Sequence, residues 1–420
     1  MNMAVISLIV LAVVIAIGFI KKVNLGFLAI GAAFILGTAG GMSASEISKG
    51  FDSSMFVTLV GVTYFFGMAS NNGTLDLFSK KVVALVGKHT VLIPILMFVL
   101  SAFISAIGPG HIAAGILMTT FAMYLAFEMD INPMATALYA KLGANAGCAS
   151  ILSMTGILAQ KLSNPLGYSG FETHLFLSTL LSGFLFTCVV YVLYKGYKVK
   201  ADNPLKLSEI PKFNREQRIT IIAIIIMVVC CIGFKLNTGL FAFAAAAVLV
   251  LLGVADEKKA IKGIPWGTLV FICGMGVLVN VIDTLGGITM ISDFLTSLMT
   301  ERTAVPILAA TSGILSWVSS TTGVVMPTMY PIAAEIAETF SSVSYVEMIS
   351  AITATSFAAA ISPLSTGGAI IMSSYTASKE TTTEEMNKMF KTLFLLSVAN
   401  VMLNVLLAAL GVFNLGGLFY

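Results

Sequence analysis

Apolar runs long enough to cross a lipid bilayer recur from one end of this chain to the other, and that recurrence constrains its fold more than any single motif. A hydrocarbon core about 30 Å thick takes roughly 20 apolar residues of helix. Such runs cover Met3 to Ile20, Leu25 to Gly41, Ser54 to Asn71, Pro133 to Leu162 and Thr173 to Tyr194. They return at Gln217 to Gly233, Thr238 to Val254, Trp266 to Ile282, Tyr345 to Tyr375 and Phe390 to Val412. Only 10% of the 420 residues are charged and the mean hydropathy is +0.98, where a soluble domain carries roughly 25% charge. Lipid offers backbone groups no hydrogen-bond partner, so self-satisfied helices are the expected elements. The fold class is an all-α polytopic membrane protein, with the lipid bilayer as its solvent.

Met3 to Ile20 differs from a secretory signal because Lys21 and Lys22 follow the apolar stretch instead of preceding it, so it reads as a retained span. With the N-terminus outside and ten spans, 18 of the 23 Lys and Arg residues fall on the cytoplasmic side, Lys80, Lys81, Lys88, Lys258, Lys259 and Lys262 among them. Lys49, Lys161, Lys235 and Arg302 fall outside, and Lys141 stays within the membrane. That asymmetry predicts a multi-pass protein of a bacterial cytoplasmic (inner) membrane with both termini outside.

Two further apolar pairs, Val91 to Phe127 and Ala304 to Ala337, are each split at the centre by a Gly, Pro, Ser or Thr cluster. Their arms, about 15 to 17 residues each, suit re-entrant hairpins better than full spans. The two halves of the chain resemble one another. F-V-T-L-V-G-V from Phe56 matches W-G-T-L-V-F-I from Trp266, S-A-I-G-P-G-H from Ser105 matches S-W-V-S-S-T-T from Ser316, and C-A-S-I-L-S-M-T-G from Cys148 matches A-I-S-P-L-S-T-G-G from Ala360. The nearly constant offset divides the chain into a first repeat over 1–194, a cytoplasmic linker over 195–218 and a second repeat over 219–420. Five spans per half is an odd number, so the halves have opposite orientation, an inverted repeat.

Helix-breaking clusters at matched positions in membrane segments are tolerated where they line a cavity or bind a ligand. Four occur here: Gly108 to His111 and Ser319 to Thr322 at the hairpin tips, and Asn145 to Gly156 and Ser362 to Gly368 within two long helices. They offer hydroxyls, free carbonyls and positive helix ends, a set suited to an anion and small hard cations; the competing reading is that small residues merely pack helices together. Lys141, ionisable at mid-span and one turn before Asn145, either faces this cavity and attracts a carboxylate, or snorkels to the surface or pairs with Glu128 or Asp130. His111 either bonds substrate, carries a proton or caps its hairpin as a neutral residue. His89 and His174 fall in loops, Asp283 and Asp293 flank a loop, and Glu335 and Glu338 meet water at the outer end of a hairpin arm; none of these is assigned a role.

The five cysteines sit in apolar runs without metal or redox spacing. No basic block marks a nucleic-acid partner, and no phosphate loop, zinc-protease motif or nucleophile elbow marks an enzyme. No catalytic residue and no cofactor is expected.

G-P-G-H-I-A-A from Gly108 and S-S-T-T-G-V-V-M-P-T from Ser319 resemble the malonate-carrier (MatC-type) permeases allied to the divalent anion:sodium symporters, within the ion transporter superfamily. The resemblance runs over nearly the whole chain. It implies two inverted repeats of five spans, each with a re-entrant hairpin and a broken helix, working as a homodimer by an elevator-like movement. It implies cation-coupled uptake, with sodium or protons, of small dicarboxylates such as malonate or C4-dicarboxylates. Substrate contacts carried over are Pro109, Gly110, His111, Lys141, Asn145, Ser320, Thr321, Thr322, Pro363, Ser365 and Thr366. The implied sodium positions are Ser105, Gly108, Gly147 and Ser150 on one side and Ser316, Ser319, Thr321, Ala360 and Ser362 on the other. The symporters carry Ser-Asn-Thr at each tip; the second tip here keeps the hydroxyls, and the first departs from them. A cation/proton antiporter or an anion efflux permease of the same fold is the alternative. It is disfavoured by the lack of Asp or Glu at the four clusters. A membrane enzyme or receptor would need a catalytic constellation or a soluble domain larger than the linker.

Overall fold

The computed structural model describes residues 2–21, 23–85, 90–199, 207–234, 236–340, 342–378 and 381–414. Lys22, Lys88, His89, Lys235 and part of the linker lie outside them. Twenty α-helices and no strand occur among the described residues. The first ten are α1 (Met3–Lys21), α2 (Leu25–Ala39), α3 (Ala44–Ser48), α4 (Ser53–Asn71), α5 (Thr74–Ala84), α6 (Ile93–Ala106), α7 (Gly110–Glu128), α8 (Pro133–Gly147), α9 (Met154–Ser163) and α10 (Glu172–Leu193). The second ten are α11 (Arg215–Gly233), α12 (Thr238–Leu251), α13 (Glu257–Gly263), α14 (Trp266–Thr284), α15 (Gly287–Ser297), α16 (Ala304–Val318), α17 (Met326–Thr339), α18 (Tyr345–Ala359), α19 (Thr366–Ser378) and α20 (Thr383–Ala409).

The start signals of the first ten helices recur in the second. Asn24 and Asn237 cap α2 and α12 through their side-chain oxygens, Ser43 and Asp256 cap the short α3 and α13, and Gly73 and Gly286 precede α5 and α15 in the left-handed conformation. Each cap satisfies a backbone donor that the first helical turn leaves open. Only glycine takes the left-handed conformation without a Cβ penalty.

α10, α14 and α20 are long and apolar enough to cross a membrane, as expected. So is α7, whose 19 residues extend about 28 Å. The expectation of two uniformly short arms fails for this hairpin, because the helical pattern runs on past the apolar stretch to Glu128. Asp283 and Asp293 flank a loop as expected, but one only as long as the turn at Leu285 and Gly286. Asp283 lies in the last turn of α14 and Asp293 lies in α15, an amphipathic helix too short to register in a search for apolar runs. His174 is not in a loop but in the first turn of α10, its Nε2 2.7 Å from the Phe413 carbonyl oxygen.

Glycines set the crosswise contacts between the halves. A Cβ on Gly274 of α14 would stand 2.3 Å from the Gly26 carbonyl oxygen of α2, and one on Gly61 of α4 would stand 2.4 Å from that of Gly239 in α12. Backbone meets backbone at both places, so no side chain can swing aside. Gly274→Val is expected to destabilise the protein by about 1–3 kcal/mol, read as a lower midpoint of thermal unfolding in detergent, while Gly31→Ala, which meets nothing within 4 Å, leaves it unmoved. Behind this framework the α6–α7 pair packs around α8, and the α16–α17 pair packs against α18. These two bodies carry the four broken clusters.

Candidate substrate-binding site

The first tip is Ile107, Gly108 and Pro109, between α6 and α7. Gly108 has φ +148° and Gly110 φ +73°, and a Cβ on Gly108 would stand 1.9 Å from the Phe66 ring of α4. Gly110 lies against Ser153 and Met154, so this tip touches the α8–α9 break. Ser105 is buried just behind it, its hydroxyl without a partner. The second tip is built differently. Ser319 is extended, the Ser320 hydroxyl accepts the Gly323 N–H at 3.1 Å, and Thr321–Val325 form a single π-turn before α17. Such wide turns leave hydrogen bonds displaced and recur at functional sites. Ser316 bonds the Ser356 carbonyl oxygen at 2.9 Å and faces the Thr321 hydroxyl at 3.0 Å, Ser319 bonds Leu315 O at 2.6 Å, and Thr322 is buried.

The two helix breaks make the same turn twice. In the α8–α9 break the Ser150 hydroxyl accepts the Leu152 N–H at 3.3 Å and Ser153 N donates to Ser150 O at 2.9 Å. In the α18–α19 break Ser362 accepts from Leu364 at 3.3 Å and Ser365 N donates to Ser362 O at 3.0 Å. Gly156 closes over the Ser150 carbonyl and Gly368 over that of Ser362, each too near for a Cβ. Gly147 packs on the Ala102 backbone of α6, and the Ser365 hydroxyl bonds the carbonyls of Ala360 and Ser362. Pro363 is half-buried and Thr366 exposed at the start of α19.

Lys141 joins the two bodies. It is 1% exposed, and its Nζ donates to the His111 carbonyl oxygen at 3.0 Å. A Cβ on Gly115 would stand 2.7 Å from Nζ, and one on Gly367 2.8 Å from Cε, so two missing side chains make the passage for this lysine. Glu128 and Asp130 are exposed, and among the described residues no carboxylate pairs with Lys141. Snorkelling and pairing with either acid are therefore set aside. The ammonium stands beside the first turns of α7 and α19, whose backbone donors add partial positive charge. His111 is half-buried, edge-on to Phe357 at 4.9 Å, with Nδ1 3.5 Å from the Thr155 hydroxyl. Asn145 Nδ2 donates to the Phe357 carbonyl at 3.1 Å.

Sequence reasoning marked Thr155 within the third cluster but missed Gly115 and Phe357, which no local pattern distinguishes from packing residues. It also missed Glu347, a buried acid in the first turn of α18, far along the helix from its break. A cleft of about 590 Å³ lined by Asp76, Lys80 and Tyr124 shares Ser70, Ala113, Ile116 and Leu117 with a second of about 190 Å³ that reaches Pro109 and Met154. The first tip is thus accessible from the side that bears Lys80.

All-helical among the described residues and with several apolar helices, four of them long enough to cross a membrane, the bundle matches a polytopic membrane transporter fold. Residues 1–148 match the family described as dicarboxylate carrier protein MatC, N-terminus. The structure is similar to that of the YdaH transporter of Alcanivorax borkumensis, with a TM-score of 0.60 and 12% identity over 89% of this chain and 87% of that one. It is also similar to MtrF of Neisseria gonorrhoeae, described with a class of antimetabolite efflux pumps, with a TM-score of 0.55 and 12% identity over 87% and 82%. No curated protein matches the chain in sequence. The family match and both likenesses are to transport proteins, not enzymes.

Proposed function

We propose that the protein is a secondary active transporter that takes up small dicarboxylates, such as malonate or C4-dicarboxylates, coupled to sodium or protons. The observation that carries this reading is Lys141, a buried ammonium whose partner among the described residues is one carbonyl and no carboxylate. Burying an unpaired charge costs several kcal/mol, and such residues in membranes face functional cavities. A substrate carboxylate would supply the missing counter-charge between Lys141 and the starts of α7 and α19. A dianion entering against a negative-inside potential is opposed by about 2.3 kcal/mol per charge per 100 mV, so cations must accompany it. The hydroxyls of the second tip are the proposed place for one of them.

The repeated N-caps and the twice-made helix break support two inverted repeats, and the glycine-lined crossing of α2 on α14 and α12 on α4 suits a scaffold against which the two hairpin bodies move. A homodimer in a bacterial cytoplasmic membrane, with its termini outside, completes the proposal. An antiporter would need an acid beside the breaks, and the buried Glu347 stands at the other end of α18.

Radiolabelled malonate and succinate uptake into proteoliposomes, under an imposed sodium gradient and separately a proton gradient, tests the reading. Accumulation of either acid above the no-gradient control by about tenfold is expected, the ratio that 1.4 kcal/mol of coupled gradient sustains. Folded protein that accumulates neither acid under either gradient would remove the dicarboxylate assignment.

A further inference from the structure

A small cavity of about 20 Å³ lies where the last turns of α8 and α18 meet α10 and α20. Its polar wall is Asn145, Thr179, Ser182 and Asn400, and none of the expected sodium positions lines it. The Asn145 amide nitrogen is held by the Phe357 carbonyl at 3.1 Å, which fixes the orientation of the amide. Its Oδ1 is left buried and without a partner. A buried carbonyl oxygen in that state costs about 1–3 kcal/mol unless something binds it.

The neighbouring hydroxyls have given their protons away. Thr179 donates to the carbonyl oxygens of Phe176 at 2.9 Å and Leu175 at 3.1 Å, and Ser182 donates to Asn404 Oδ1 at 2.6 Å. Asn400 donates to Ala358 O at 3.3 Å, and its own Oδ1 accepts from Asn404 at 3.2 Å. What the Asn145 Oδ1 and the hydroxyls of Thr179 and Ser182 have left toward the cavity is oxygen lone pairs. The field has the same sign: α8 ends at Gly147 and α18 at Ala359, so the cavity lies beside two helix C-termini, which carry partial negative charge.

The geometry points to a binding site for one small, dehydrated monovalent cation of the sodium class, held by Asn145 Oδ1 and the hydroxyl oxygens of Thr179 and Ser182 between the two broken helices. Neutral oxygens at half-helix C-termini are the ligands that hard cations take inside membranes. The volume admits one water-sized occupant, so the ion enters without its hydration shell. Asn145 stands one turn beyond Lys141 on α8, so an ion here and an anion at Lys141 grip the same helix from two ends. That coupling rests on the transport reading; the site itself does not.

The test is thermal unfolding of the purified full-length protein in detergent, with no organic anion, as NaCl replaces choline chloride at constant ionic strength. A saturable rise in the midpoint with sodium is expected. It should persist in Ser320→Ala with Thr321→Ala, which alters the second tip. In Thr179→Val and Ser182→Ala the sodium concentration for half the effect should rise about tenfold or more. Should those variants not fold, equilibrium binding of radioactive sodium decides: wild type and the tip variant should both bind it, with the tip variant losing at most one ion. No sodium effect on unfolding and no bound sodium, as a buried water would give, overturns the proposal. So do an equal effect of potassium, and sodium binding lost entirely with the tip variant. Failure of carboxylate uptake leaves these outcomes untouched.

Discussion

Proteoliposomes carrying Lys141→Met are expected to lose gradient-driven dicarboxylate uptake by about a hundredfold or more, while the variant unfolds at a temperature no lower than the wild type. The first effect follows from removing the cation of a buried charge pair with the substrate, worth about 3–5 kcal/mol when one partner is lost. The second follows because, among the described residues, the ammonium donates to the His111 carbonyl and to no carboxylate. Methionine fills a similar volume without a charge to desolvate. A residue kept only for packing would show the opposite pattern, with stability falling and uptake preserved. Lys141→Arg is expected to fail as well, because Gly115 and Gly367 leave passage for a slender chain and not for a planar guanidinium. Uptake by Lys141→Met at more than half the wild-type rate would remove the lysine from the site and with it the main support for an anionic substrate.

Gly108→Ala is expected to be the most damaging single methyl in the first tip. At φ +148° an L-residue is strained, by about 1–3 kcal/mol, and the new Cβ would stand 1.9 Å from the Phe66 ring. These two penalties separate experimentally. Shortening the obstacle with Phe66→Ala in the same chain relieves the clash and leaves the backbone strain, so the double variant should recover part, and not all, of the lost folding yield and uptake. Full recovery would mean that the positive φ carries no cost, and no recovery would mean that Phe66 is not what confines the tip. Either result is read by size-exclusion profile in detergent followed by uptake in liposomes. The ring also lies on the route from the Lys80 cleft to Pro109, so the double variant reports on access as well.

The spans α10, α14 and α20 were legible because lipid imposes a length and a composition on every helix that crosses it, and both can be counted along a chain. The four clusters were legible for a related reason: Gly108 with Pro109, or Ser362 with Pro363, interrupts a helix wherever it stands, and membranes seldom tolerate the interruption. The short helices α5 and α15 were not. Their 11 residues carry charges and take their stability from packing at the bundle surface, while the Gly73 and Gly286 caps that start them look like any loop glycine. The caps Asn24 and Asn237, and Ser43 and Asp256, stand at corresponding places in the two halves, a likeness that apolar matching along the sequence does not use.

At the site, residue chemistry alone marked Lys141, since an ionisable group at mid-span is costly in any fold. Its direction was open between surface, acid and cavity. In the fold its side chain is buried between Gly115 on α7 and Gly367 on α19, more than two hundred residues apart, which come together only when the two bodies pack. Asn145 was marked as part of a helix-breaking cluster, and in the fold its amide donates to the Phe357 carbonyl and lines a cavity with Thr179, Ser182 and Asn400 of α10 and α20. Local sequence therefore determined which groups are expensive to bury, because desolvation depends on the group. Tertiary packing alone decided which of them face each other, because the partner that repays a buried charge or carbonyl belongs to another helix.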